Sequence, residues 1–163
     1  MRIAQAAFHV LVVNPAAWRA DWAWGLPLIV LIVVIHVSWL GLLSQRAVHI
    51  AGLIVERRHP RLAFVVAAGT TTLLATCLHA IEAAIWAAAY LLLGAIPDVK
   101  SSMLYSLNAM TSYGHTDLSL EKHWQLMGAL EALNGWLLFG LTTAFLFAVI
   151  EKVGLLGNGE RRQ

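Results

Sequence analysis

The chain is short of charge. Only 12% of its 163 residues are Asp, Glu, Lys or Arg, where a water-soluble globular chain carries about a quarter. Neither sign dominates. The formal net charge is +2, and no basic run could track a phosphate backbone, which excludes nucleic acid as a partner. Cysteine is nearly absent: Cys77 stands alone, so neither a disulfide framework nor a CxxC metal or redox motif can be built. No general base, nucleophile or phosphate-binding loop stands in an enzyme-like setting, so no catalytic residue is assigned and no enzyme is expected. What the sequence has in excess is apolar residues, 60% of the total, with a mean hydropathy of +0.72. That excess rules out a disordered or fibrous chain and points to a small integral membrane protein.

A spanning helix needs about 20 mostly apolar residues, and three stretches qualify. Residues 26–43 are interrupted by His36 and Ser38, residues 62–96 by His79 and Glu82, and residues 126–150 by Glu131 and Asn134. The second is longer than an upright span requires and is expected to tilt or protrude. A fourth apolar patch, residues 3–13, is too short to cross. With Trp18, Trp22 and Trp24 following it, an interfacial helix is expected there. Residues 44–58 are amphipathic and are expected to follow the inner membrane surface.

Lys and Arg set the orientation. Arg46, Arg57, Arg58, Arg61, Lys152, Arg161 and Arg162 fall on one side, against Arg2, Arg19, Lys100 and Lys122 on the other. The Arg-rich side is expected to be cytoplasmic, which puts the N-terminus outside and the C-terminus inside. No internal repeat or linker divides the chain.

The segment between the second and third spans, PDVKSSMLYSLNAMTSYGHTDLSLEKHW, does not read as an ordinary polar loop. Pro97 and Asp98 precede a helical stretch at 101–110, with Asp98 or Ser101 available as its cap. Small polar residues then surround a single glycine: Thr111, Ser112, Tyr113, Gly114, His115, Thr116 and Asp117. A short helix ending in Gly-bearing extended backbone between two spans is a re-entrant pattern, tolerated at membrane depth only where protein buries it or it lines water.

The stretch SMLYSLNAMTSYGHTDL resembles the pore helix and selectivity filter of tetrameric potassium channels, whose filter reads T-T-V-G-Y-G-D. Trp124 stands where many of them carry a tryptophan at the head of the inner helix. NGWLLFGLTTA resembles that inner helix, with Gly135 at the hinge position. The resemblance covers about residues 62–150. It implies an all-α membrane protein with three transmembrane helices and one re-entrant pore helix per subunit, assembled as a potassium-channel-like homotetramer in a bacterial plasma membrane. Residues 1–61 would hold the interfacial segment, first span and connection; 62–151 the pore module; 152–163 a short cytoplasmic tail.

Under that resemblance Thr111 to Asp117 bind the permeant ion. The carbonyls of Ser112, Tyr113, Gly114 and His115 form successive rings, the Ser112 hydroxyl adds an innermost ligand, and Asp117 concentrates cations at the mouth. Gly135, Trp136, Phe139, Gly140 and Thr143 form the hinge and line the cavity, although Gly135 and Gly140 also suit close helix packing. Two departures bear on selectivity. Thr116 replaces the second filter glycine, and a β-branched residue resists the conformation required there. His115 replaces the tyrosine that braces the filter from behind. Conduction of K+ with weakened discrimination against Na+ is expected, with no cofactor beyond the permeant ions, and with further copies of the chain and membrane lipid as partners. A non-conducting or regulatory protein that keeps the pore fold is the alternative.

Glu82 and Glu131 are costly in lipid and should face protein or water. Both fall at about the depth of Asn108, so Asn108, Glu131 and Glu82 are expected to brace the filter. His36 and His79 suggest a less favoured class, a small haem- or metal-binding redox protein, and His79 with Glu82 has the i, i+3 spacing of a metal pair. Counted along their spans, however, His36 falls toward the cytoplasmic end and His79 on the outer half, which argues against a shared ligand. The first span lacks the Arg repeat of a voltage sensor. With EKVGLLGNGERRQ after the third span, no nucleotide- or calcium-binding domain is expected there, and the gating stimulus is left open.

Overall fold

A computed structural model describes residues 15–55, 60–114 and 118–159. No strand occurs among the described residues. Helix α1 (Pro15–Val55) is followed by α2 (Pro60–Leu92), α3 (Val99–Thr111), a 3-10 turn (Lys122–Trp124) and α4 (Gln125–Gly159). Three segments are long and apolar enough to cross a membrane: Trp18–Ala47, Phe64–Leu92 and Lys122–Lys152. At most 28% of any of their spanning windows is buried within the chain. Their apolar outer faces therefore need lipid or further protein to cover them.

The first span begins earlier than residue 26. Trp18, Trp22 and Trp24 lie inside α1 with exposed rings, as rings at headgroup level require. Pro27 sits within the same helix. Residues 44–55 continue α1 without a break, and the apolar patch at 3–13 lies outside the described residues. Pro60 opens α2, where its fixed φ and missing N–H cost nothing.

The described residues fall into two compact units, one of residues up to Leu31 with Ala84–Gly135, the other of Ile32–Ala83 with residues from Trp136 onward. The first is built around α3. Asp98 caps that helix, its Oδ1 accepting from Ser101 N at 2.9 Å. The preceding helix stops at Gly94, whose φ of +67° lets Gly94 N donate to Leu91 O (3.1 Å) and Ala95 N to Tyr90 O (2.8 Å). Helix α3 ends in the same motif, but on Ser112 at φ +53°, with Ser112 N donating to Ala109 O (3.1 Å) and Tyr113 N to Asn108 O (3.0 Å). A non-glycine residue in this left-handed region costs about 1–2 kcal/mol.

Two glycines bring α3 against α4. A Cβ on Gly128 would overlap the Tyr105 hydroxyl, and one on Gly135 would overlap the Met110 backbone. Tyr105 thus pairs with Gly128 and Met110 with Gly135, so the contacts advance in the same sense along both helices. Asp21 of α1 adds a cap, its Oδ1 accepting from Met127 N in the first turn of α4 at 3.2 Å. Trp124, in the turn just before α4, is buried.

The second unit packs Leu40, Leu43 and Leu78 together, with Ala67 and Val149 forming a smaller cluster. Hydroxyls in this apolar setting turn back on their own helix: Thr71 donates to Ala67 O (2.5 Å), Thr72 to Ala68 O (2.9 Å) and Thr76 to Thr72 O (3.0 Å).

Candidate functional site

The filter-like segment leaves α3 at Thr111, whose hydroxyl donates to Leu107 O at 2.7 Å. Ser112 then turns left-handed, Tyr113 projects its ring outward at 82% exposure, and Gly114 follows at φ +77°. That second left-handed turn is one a glycine takes without a Cβ penalty. His115, Thr116 and Asp117 lie outside the described residues. Beside this backbone is a cavity of about 350 Å³, bordered by Tyr105, Asn108, Ser112, Gly114 and Gln125 among others.

The ends of the excursion are tied together. Glu121 N donates to Ala95 O at 3.4 Å, so the chain returns to the end of α2 after residues 96–120. Leu120 reaches the level of Gly128, where its Cδ1 would stand 3.3 Å from a Cβ. Met110 stands at Gly135, seven residues further along α4, or about 10 Å at 1.5 Å per residue. Helix α3 therefore runs along α4 toward Gly135, and by Leu120 the chain is again at the level of Gly128.

Glu131 is fully buried on the face of α4 that receives α3. Ser106 of α3 donates to its Oε1, and the buried Tyr90 hydroxyl donates to its Oε2 at 2.6 Å. Tyr90 also meets Tyr105 edge to face, with ring centroids 5.4 Å apart. These two hydroxyl partners were not among the residues expected from depth. Asn108 instead donates to Leu104 O at 2.5 Å on its own helix, and Glu82 belongs to a separate cluster in the second unit. A usable signal was present: Gly128, Glu131 and Gly135 are spaced i, i+3, i+7, a small–carboxylate–small stripe suited to a second helix bearing Ser102 and Ser106 at i, i+4.

Of the five residues expected at the hinge and cavity, Gly135 is buried against Met110, whereas Trp136, Phe139, Gly140 and Thr143 are exposed and share one face of α4 by their spacing. Thr143 satisfies its hydroxyl on Phe139 O at 2.8 Å. Helix α4 runs through both glycines without interruption.

In the second unit His36, His79 and Glu82 come together. Nδ1 of His36 is 2.8 Å from Glu82 Oε1, and Nδ1 of His79 is 3.1 Å from Oε2. The Thr142 hydroxyl bridges the far sides of both rings, 3.1 Å from His36 Nε2 and 3.0 Å from His79 Nε2. The ring centroids are 5.3 Å apart, which corrects the expectation that the two histidines sit at different depths. The reason is the position of the helices. The first span begins at Trp18 and α2 ends at Leu92, so both histidines lie near the middle of their spans.

No family model, curated protein or solved structure matches the chain.

Proposed function

We propose that this chain is one subunit of a tetrameric cation channel of the potassium-channel-like class, with α3 as a re-entrant pore helix and residues 111–117 as the filter. The single observation that carries the reading is the path of residues 96–120: a helix running along α4 to Gly135, the chain again at the level of Gly128 by Leu120, and the two ends tied by Ala95 and Glu121. Backbone of this kind fits a membrane protein only where protein encloses it or it lines a water-filled path.

A cation entering hydrocarbon loses its water, and backbone carbonyls replace that shell. Ser112 and Gly114 take left-handed φ values while Tyr113 between them does not. Alternation of this sort turns successive carbonyls toward one side, where an extended strand would point them to opposite sides. The C-terminal end of α3 presents its negative dipole end to an ion below. One chain supplies only one quarter of each carbonyl ring, so four copies are required. Trp136, Phe139, Gly140 and Thr143 offer an outward face of α4 for the cavity beneath. Thr116 in place of a second glycine removes the ease of a further left-handed turn, so discrimination between K+ and Na+ is weakened.

The test is recording from the purified protein in planar bilayers with K+ on one side and Na+ on the other. Openings whose reversal potential lies between zero and the K+ equilibrium value are expected, and Gly114→Ala should abolish them. Absence of cation flux between pH 5 and 8 from a protein that purifies as a tetramer would overturn the reading.

A further inference from the structure

The second unit holds a group of side chains that the channel reading does not use. His36 and Glu82 are fully buried, and the His79 side chain is 23% exposed. One ligand atom from each of the three lies within 4.8 Å of the others. From this geometry we infer that His36, His79 and Glu82 form a binding site for a single divalent transition-metal ion of the zinc type, with Thr142 orienting both imidazoles.

Hydrogen bonds alone leave the cluster unfinished. Glu82 Oε2 is buried and accepts no hydrogen bond from any described residue, although His79 Nδ1 stands 3.1 Å away. The approach has an ion-pair distance but not the alignment of a hydrogen bond. A buried carboxylate oxygen left in this state costs free energy that a cation between the ligands would recover. With both rings neutral, proton positions give the same answer. If both neutral rings turn Nδ1–H toward Glu82, both Nε2 atoms become acceptors, and the single Thr142 proton can serve only one of them. If a metal takes the lone pairs of both Nδ1 atoms, both Nε2 atoms carry hydrogen. The two lone pairs of Thr142 Oγ1 then accept from both rings. Such an outer hydrogen bond to the non-ligating nitrogen fixes the tautomer of a metal-bound histidine.

Dimensions and donor type agree. Ligand atoms about 2.0–2.1 Å from zinc lie about 3.3 Å from one another in a tetrahedron. The two N···O separations here, 2.8 and 3.1 Å, need open by only a few tenths of an ångström. Two imidazoles with one carboxylate suit zinc and its neighbours, whereas Mg2+ and Ca2+ prefer oxygen alone. Glu82 and Thr142 link the two rings, an arrangement that suits one ion rather than a porphyrin plane. Phe139 stacks on His79 with centroids 6.1 Å apart, which restrains the most accessible ligand. Three protein ligands leave at least one coordination position open, on the side where His79 is exposed.

The test uses the full chain in detergent, stripped with a chelator and titrated with Co2+, whose visible bands report nitrogen and oxygen ligation. Every variant carries Cys77→Ala, because Cys77 is exposed two residues from His79 and would bind metal adventitiously. One Co2+ per chain is expected, displaced by Zn2+, with a higher melting temperature in the presence of Zn2+. Glu82→Gln and His79→Gln should abolish the bands, and Thr142→Val should weaken binding 10- to 100-fold. Should Glu82→Gln fail to fold, His79→Gln at the exposed edge of the cluster keeps the question decidable. Absence of bands in the parent protein, or equal Co2+ retention by His79→Gln, overturns the inference. None of these readouts requires conduction, so the metal site and the channel reading stand or fall separately.

Discussion

Tyr90 donates its hydroxyl proton to Glu131 Oε2 across 2.6 Å, joining the last turns of α2 to the face of α4 on which the short helix α3 rests. With Ser106 on the other oxygen, both carboxylate oxygens of a fully buried side chain are satisfied by hydroxyls from two other helices. Tyr90→Phe leaves one of those oxygens bare and should cost about 1–3 kcal/mol. It is read as a lower melting temperature of the detergent-solubilised protein. Glu131→Gln should cost less, because an amide accepts from one hydroxyl and donates to the lone pair of the other. A Tyr90→Phe protein as stable as the parent would show that the bond contributes nothing.

Gly135 and Gly140 of α4 should behave oppositely. A methyl on Gly135 meets the Met110 backbone, which cannot rotate away as a flexible side chain would. Gly135→Ala should therefore destabilise by about 1–3 kcal/mol, the range for overpacking. At Gly140 nothing lies within 4 Å of the added carbon. Gly140→Ala should instead stabilise by about 0.5–1 kcal/mol through helix propensity. Thermal melts followed by circular dichroism separate the two, and equal effects would remove the packing role assigned to Gly135.

Asp98 gives a pH dependence whose sign is fixed. The backbone N–H of Ser101 holds its carboxyl below the usual 3.8. A lowered folded-state value means that the unfolded chain binds the proton more readily. The cap is therefore at full strength above about pH 4 and is lost as the pH falls through the lowered value. Asp98→Ala should melt below the parent at neutral pH and match it in acid. Asp98→Asn, which caps without titrating, should show no such convergence with Asp98→Ala.

The three spans, α3 and its cap were legible because long apolar runs and a Pro97-Asp98 start are local signals. The start of the first span was not, since Trp18 to Trp24 serve equally well as an interfacial segment or as the first turns of a helix. Nor did depth identify the partners of Glu131. Ser106 and Asn108 differ by only two positions, but that is about 200° of rotation around a helix, and one faces Glu131 while the other bonds to Leu104. Rotational phase also decided the histidines. Residue counting along separate helices could not bring His36 and His79 to one carboxylate once the start of the first span was placed eight residues too late.

The Asp21 cap on Met127 has a bearing on modularity. Helix α1 supplies an electrostatic end-group for α4, and Gly25 lies so close to Leu130 that a Cβ would stand 2.6 Å from its Cδ1. A derivative trimmed to start at Pro60 would therefore leave the first turn of α4 without its Asp21 acceptor and Leu130 uncovered. The part of α1 up to Leu31 belongs to the same packed unit as the head of α4. The two have become interdependent, so a change that shortens or re-registers α1 is also a change at the head of α4.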